Sequence, residues 1–146
     1  MICAGSGIAP FRGFWRKRYE QYMNGEKARA TLLYFGCRNK SMNLLANETE
    51  SMKGFNFQRI VAFSREPGQK KQYVQHAVLQ DGARLFMTWI IMHGSVYVCG
   101  KIDMAREVGD SLRKILMMYG EFDEEGALKK IDQIKDEGRY QEDIFG

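Results

Sequence analysis

Between Ser64 and Gln75 the chain reads Ser-Arg-Glu-Pro-Gly-Gln-Lys-Lys-Gln-Tyr-Val-Gln, and its side chains suit a phosphate joined to a flat aromatic base. Arg65 offers a planar fork that can hold two phosphate oxygens at once, Lys70 and Lys71 add point charge, and Ser64 supplies a neutral donor. Tyr73 brings a ring face for stacking and a hydroxyl for a phosphate oxygen. The set fits a ribose 2′-phosphate together with its adenine. Taken alone, the stretch also reads as a solvated basic loop between a strand and a helix.

A second candidate lies at the start of the chain, where Gly5-Ser6-Gly7-Ile8-Ala9-Pro10 follows the apolar Met1-Ile2-Cys3-Ala4. Gly5 and Gly7 permit a tight turn with backbone close to a ligand, Ser6 can donate to a phosphate, and the helix that follows presents free N–H groups. The pattern lacks the third glycine of the usual dinucleotide fingerprint, so on its own it is also a generic strand-turn-helix corner. Arg38 and the pair Cys99-Gly100 close two further apolar runs. Three cysteines without paired spacing point to free thiols in a reducing compartment, and a cytoplasmic location is expected. No metal site is expected, because a zinc ion held by those thiols would lack a fourth ligand, and His76 and His93 have no ligand partners nearby in sequence.

The elements that must position these groups alternate. Met1–Ala4 reads as the end of a strand whose beginning lies upstream, so a larger protein is expected. A helix follows through Phe11, Phe14, Trp15 and Tyr19 to about Met23, stopped by Asn24-Gly25. Ala30–Cys37 reads as a strand buried on both faces, Ser41–Gly54 as an irregular segment with a short helix around Ala46–Met52, and Ile60–Phe63 as a third strand. Tyr73–Leu79 is an expected helix, broken at Asp81-Gly82 and resumed from Arg84 to Met92. Val96–Gly100 reads as a strand, Met104–Tyr119 and Asp123–Lys135 as helices, and Arg139–Phe145 alternates like a strand.

This order predicts an α/β fold: a doubly wound, five-stranded parallel sheet, strand order 3-2-1-4-5, helices on both faces and the first strand truncated. Ligands of such sheets bind beyond the carboxyl ends of the strands, beside the switch in strand order. Every candidate above lies at such an end.

The 146 residues suffice for one domain, and 27% charged with 45% hydrophobic residues excludes disordered and fibrous classes. The longest apolar run, Phe86–Met92, is too short to span a membrane. The net charge of +4 and pI near 9.0 are modest, and the densest basic cluster, Arg16-Lys17-Arg18, reads as a solvated helix face. Neither a nucleic-acid nor a membrane partner is expected.

In their order, Gly5–Arg12, Tyr34–Arg38, Ser64–Pro67, Lys71–Gln75, Tyr97–Gly100 and Met104-Ala105 resemble the NADPH-binding subdomain of the diflavin reductases, of the ferredoxin–NADP reductase-like type. Phe14-Trp15, the Ser-Arg-Glu-Pro loop and the ending Arg139–Gly146 are most similar to the C-terminal reductase region of nitric oxide synthase. The resemblance covers nearly the whole chain. It implies that Gly5, Ser6 and Gly7 hold the pyrophosphate and that Arg38 lies beside the pyrophosphate or nicotinamide half. It implies further that Ser64, Arg65, Lys71, Tyr73 and Gln75 hold the 2′-phosphate and adenine. Cys99, followed by Gly100, and Asp143 resemble the pair beside the nicotinamide, and Phe145 the aromatic that covers the flavin until nicotinamide displaces it.

The implied activity is positioning of NADPH for hydride transfer to FAD, with electrons continuing through FMN to heme for nitric oxide production from arginine. Another diflavin enzyme, such as NADPH–cytochrome P450 reductase, is the alternative, and a non-catalytic nucleotide-binding module a third. Calmodulin is implied for the full-length synthase but not for this segment. Nothing here resembles the flavin-binding Arg-x-Tyr-Ser motif, so the FAD domain of the same polypeptide is an expected partner and the chain alone is expected to be inactive. It departs from the family pattern at Ser6 for threonine, Lys101 for aspartate, and Asn43 and Ala46 for aspartate and tyrosine. The segment after Arg38 is therefore expected to be ordered in its own way.

Overall fold

Five parallel strands carry the molecule in the computed structural model, which describes residues 1–27, 29–52 and 55–146. They are β1 (Ile2–Ala4), β2 (Thr31–Cys37), β3 (Phe57–Phe63), β4 (Val96–Lys101) and β5 (Tyr140–Phe145), in the order β3-β2-β1-β4-β5. This is the expected sheet, with a short first strand. Its two faces follow from the period of two along each strand. Register places Ile2 beside Tyr34 and Val98 in one row, and Cys3 beside Phe35 and Cys99 in the next. Each row belongs to a different core cluster.

The Cys3 face is covered by α1 (Ala9–Met23), whose Phe11 and Trp15 are buried against it, and by Leu45 and Met52 flanking α2 (Ala46–Glu50). The Ile2 face is covered by α3 (Val74–Gln80), α4 (Gly82–Phe86), α5 (Ile102–Tyr119) and α6 (Glu124–Asp136). Pro10 fits the first turn of α1, where its missing N–H costs nothing. Asp123 caps α6 by accepting from the Gly126 N–H at 2.7 Å.

Several boundaries differ from expectation. The third strand starts at Phe57 rather than Ile60, because pairing with β2 extends back to Thr31. α2 ends at Glu50, and Lys53 and Gly54 of the expected segment lie outside the described residues. The expected helix from Arg84 to Met92 begins at Gly82 and widens into π turns over Met87–Ile91, where the Met92 N–H reaches back to the Met87 carbonyl at 2.9 Å. Arg139 stabilises that region by donating to the Trp89 and Gly94 carbonyls at 3.1 and 2.9 Å. The Asp81 break also has a tertiary cause. Its carboxylate accepts a 2.6 Å hydrogen bond from the hydroxyl of Tyr34, whose side chain is buried in β2, and pairs with Arg84.

The segment after Arg38 forms a single 3₁₀ turn at Lys40–Met42, and a guanidinium orders the residues beyond that turn. Arg59 of β3 donates to Asn43 Oδ1 at 2.6 Å, the Leu44 carbonyl at 2.7 Å and Thr49 Oγ1 at 2.8 Å, and lies 5.1 Å from the Phe35 ring centroid. Asn43, one of the departures from the family pattern, is thus an acceptor in this brace.

Cys3 is wholly buried between the strands, and burial pushes its thiol from 9.0 up to about 12. The folded state therefore holds the proton more tightly than the unfolded chain. The associated stability is intact below pH 9 and is lost progressively as pH rises toward 12. Burial and the bond to Asp81 move Tyr34 in the same direction. Thermal melts between pH 7 and 10.5 should show a steeper alkaline fall for the unsubstituted chain than for Cys3→Ala; equal slopes would remove Cys3 from the account.

Candidate functional site

The turn after β1 is held by close packing. Gly5 sits at φ +55°, a left-handed conformation that favours glycine, and Gly7 is pressed onto β4. A Cβ at Gly7 would lie 2.3 Å from the Cys99 carbonyl oxygen, so only glycine lets the 3₁₀ turn Gly5–Ile8 approach that strand. Ser6 stays exposed at the tip. The helix behind the turn is anchored by Glu48, whose carboxylate accepts from Arg12 at 2.6 and 2.8 Å and from the buried Trp15 indole at 3.1 Å. These bonds draw Glu48 below the usual carboxylate range, the bond from Arg12 contributing most.

Beyond the neighbouring strands, pairing continues past the last sheet residues. The Ser64 N–H donates to the Cys37 carbonyl at 3.0 Å and the Arg65 N–H to the Arg38 carbonyl at 2.7 Å, setting the two arginines side by side. The Gln72 N–H then returns to the Phe63 carbonyl at 2.9 Å and closes the intervening loop. Arg38, Arg65, Lys70 and Lys71 are all exposed, and among the described residues none of the four forms an ion pair with a carboxylate. A cluster of unpaired cations of this kind attracts anions.

Tyr73, at the N-cap of α3, is 41% exposed, with the Lys71 ammonium 4.8 Å from its ring centroid. Its backbone N–H donates to His76 Nδ1 at 3.2 Å. Ring, ammonium and guanidinium thus flank one loop, as a phosphate beside a stacked base requires. Gln75 is placed differently. It is buried, and its Nε2 donates to a carboxylate oxygen of Glu107 on α5. A carboxylate only accepts, so this bond uses one of the two amide N–H groups and leaves the second N–H and the carbonyl oxygen of Gln75 uncommitted to Glu107. Glu107 carried no signal in the sequence, because its partner is 32 residues away.

On the other side of the switch in strand order, register brings Cys99 beside Asp143 and Lys101 beside Phe145. The Cys99 thiol lies 3.8 Å from an Asp143 carboxylate oxygen. Burial, then the carboxylate, raises the Cys99 thiol above its ordinary value, which keeps it protonated. Asp143 and Phe145 are exposed, as is every residue of the edge strand β5 after the buried Tyr140. Gly100, buried behind them, admits the Met104 side chain against its Cα.

Gly5, Ser6, Gly7, Arg38, Ser64 and Arg65 therefore lie along one rim, with Cys99, Asp143 and Phe145 on the sheet face at its far side. Among the described residues there is no cluster of three metal-ligating side chains, and no helix is long and apolar enough to cross a membrane.

Residues 1–110 match the oxidoreductase NAD-binding domain family. The chain belongs to that family. Over its full length it is 37% identical to a nitric oxide synthase of Bombyx mori and 40% to an inducible nitric oxide synthase of Gallus gallus, covering 13% of each. Over 99% of its length it is 36% identical to an NADPH–cytochrome P450 reductase of Candida maltosa, covering 22% of it. This NAD-binding domain thus spans less than a quarter of the length of these relatives, and the three identities do not separate synthase from reductase.

Proposed function

We propose that this NAD-binding domain binds NADPH in preference to NADH and presents the nicotinamide to a flavin, as the hydride-donating half of a diflavin reductase. The carrying observation is the pair Arg38 and Arg65, hydrogen-bonded through their backbones at 2.7 Å at the rim of the sheet and, among the described residues, without a carboxylate partner. Arg65, with Lys71 and Ser64, faces the 2′-phosphate, whose charge distinguishes NADPH from NADH. Tyr73 stacks on the adenine. Ser6 and the Gly5–Gly7 turn hold the pyrophosphate with the N-terminal end of α1, and Arg38 neutralises it from β2.

Bound NADPH supplies the hydride, and FAD on a neighbouring domain supplies its acceptor. At the reacting end this chain contributes position and charge. Asp143 would offset the positive charge that develops on a bound nicotinamide ring, Cys99 would lie beside that ring as a neutral thiol, and Phe145 would supply an aromatic face toward the flavin. Alone, the domain binds nucleotide without turning it over.

Within the diflavin reductases we assign it to a nitric oxide synthase, in which FMN and heme would complete the electron path. The tail ending in Phe145 supports this; the 36% identity to a P450 reductase supports the alternative. Calorimetric titration with 2′,5′-ADP, 5′-AMP and a single-stranded oligonucleotide tests the nucleotide reading. 2′,5′-ADP should bind tightest, and a preference for either competitor would defeat the proposal.

A further inference from the structure

An acidic residue stands in the middle of the basic loop, and its position is unexpected. Glu66 follows Arg65 directly, yet it pairs with neither Arg65 nor Arg38. Its side chain is only 13% exposed and accepts a 2.7 Å hydrogen bond from the backbone N–H of Lys40, with the Lys40 ammonium 3.8 Å from its other oxygen. Its backbone opens a turn in which Pro67 takes the second position and Gly68 the third at φ +75°, closed by the Gln69 N–H on the Glu66 carbonyl at 3.3 Å. The chain reverses there while the Glu66 carboxylate stays anchored to the segment after β2.

Pairing between the two segments is thus continuous beyond the sheet: Ser64 to Cys37, Arg65 to Arg38, then Glu66 to Lys40. The last link is made by a side chain. It carries the pairing one step past the two backbone bonds, at the point where the chain leaves the strand ends that bear Arg38 and Arg65. The exposed Lys40 ammonium adds little, because an ion pair in water is weak; the backbone N–H is the strong partner of this partly desolvated carboxylate.

We propose that Glu66 is a positioning residue of the nucleotide site: its carboxylate, tethered to the Lys40 N–H, fixes the spacing between Arg38 and Arg65 so that one ligand can engage both through two phosphates. This rests on the nucleotide reading above. Glu66 does not touch the ligand, and its effect falls on ligands that carry both phosphates rather than one.

The test titrates the unsubstituted chain, Glu66→Ala, Glu66→Gln and Glu66→Asp with 2′,5′-ADP, 2′-AMP and 5′-AMP. Glu66→Ala should bind 2′,5′-ADP about tenfold more weakly, the scale of losing a hydrogen bond to a charged group, while both monophosphates change by less than about twofold. Glu66→Gln keeps an acceptor for the Lys40 N–H and should restore 2′,5′-ADP binding; Glu66→Asp, too short to reach, should behave as alanine and serves if the alanine variant does not fold. Unchanged 2′,5′-ADP binding in Glu66→Ala and Glu66→Asp overturns the proposal. So does an equal loss for the monophosphates, or a glutamine variant as weak as alanine. If the unsubstituted chain itself fails to prefer 2′,5′-ADP to 5′-AMP, the nucleotide reading falls and this role with it; if it does prefer it, only the role of Glu66 is at stake.

Discussion

Arg65→Ala should weaken 2′,5′-ADP binding by about 1.5 to 3 kcal/mol, the range for a hydrogen bond to a charged group, and leave 5′-AMP nearly unaffected. Arg65 is exposed and makes no ion pair among the described residues, so its removal breaks nothing within the fold. Its backbone N–H stays bonded to the Arg38 carbonyl whatever the side chain. The loss therefore reports ligand contact rather than local collapse. Arg65→Lys should recover only part of it, because an ammonium cannot hold two oxygens in a planar fork. Calorimetry with both nucleotides decides the matter: an equal fall for 5′-AMP would place Arg65 somewhere other than the 2′-phosphate.

Gly7→Ala should be strongly disruptive, because the methyl it adds meets backbone. The added Cβ would stand 2.3 Å from the carbonyl oxygen and 2.9 Å from the carbonyl carbon of Cys99, with the Gly100 nitrogen at 3.3 Å. These are backbone atoms of a strand paired on both sides, to β1 and β5, so the turn must move instead. Overpacking of this kind costs about 1 to 3 kcal/mol and occasionally more. Moving the turn also withdraws Ser6 from the rim and disturbs Cys99 on β4, so, on the proposed nucleotide reading, a lower melting temperature should be accompanied by loss of 2′,5′-ADP binding. Gly5→Ala is the comparison: its Cβ would meet nothing within 4 Å, and the cost is about 1 to 2 kcal/mol of left-handed backbone strain. If Gly7→Ala melted with Gly5→Ala, the close approach to β4 would not be limiting.

The two variants probe parts of the site that differ in how openly the chain displays them. Arg65 is visible because a strand-like run ends in Ser64-Arg65 and the loop beyond it carries Lys70, Lys71 and Tyr73. Gly7 is visible as a glycine after an apolar run, but its reason for being glycine is a strand more than ninety positions further along the chain, in Cys99 and Gly100.

Local periodicity carried the alternation of strands and helices, the parallel sheet, and the cations and glycines at its carboxyl rim, since each depends on neighbours within a few residues. It failed where a distant group intervened: the early start of β3 comes from pairing with β2, and the break at Asp81 from the hydroxyl of Tyr34. The contact of Cys99 with Asp143 depends on the register of two strands separated by a long helical crossover, and a slip of one residue would turn one of them to the opposite face. Likewise, the residue types of Glu66 and Gln75 were plain to read, but their partners, Lys40 and Glu107, were not. Sequence alone thus determined which groups this protein brings to its rim. Tertiary structure decided which of them stand exposed beside one another and which are turned inward, because the pairing that sets those distances is made between segments far apart in the chain.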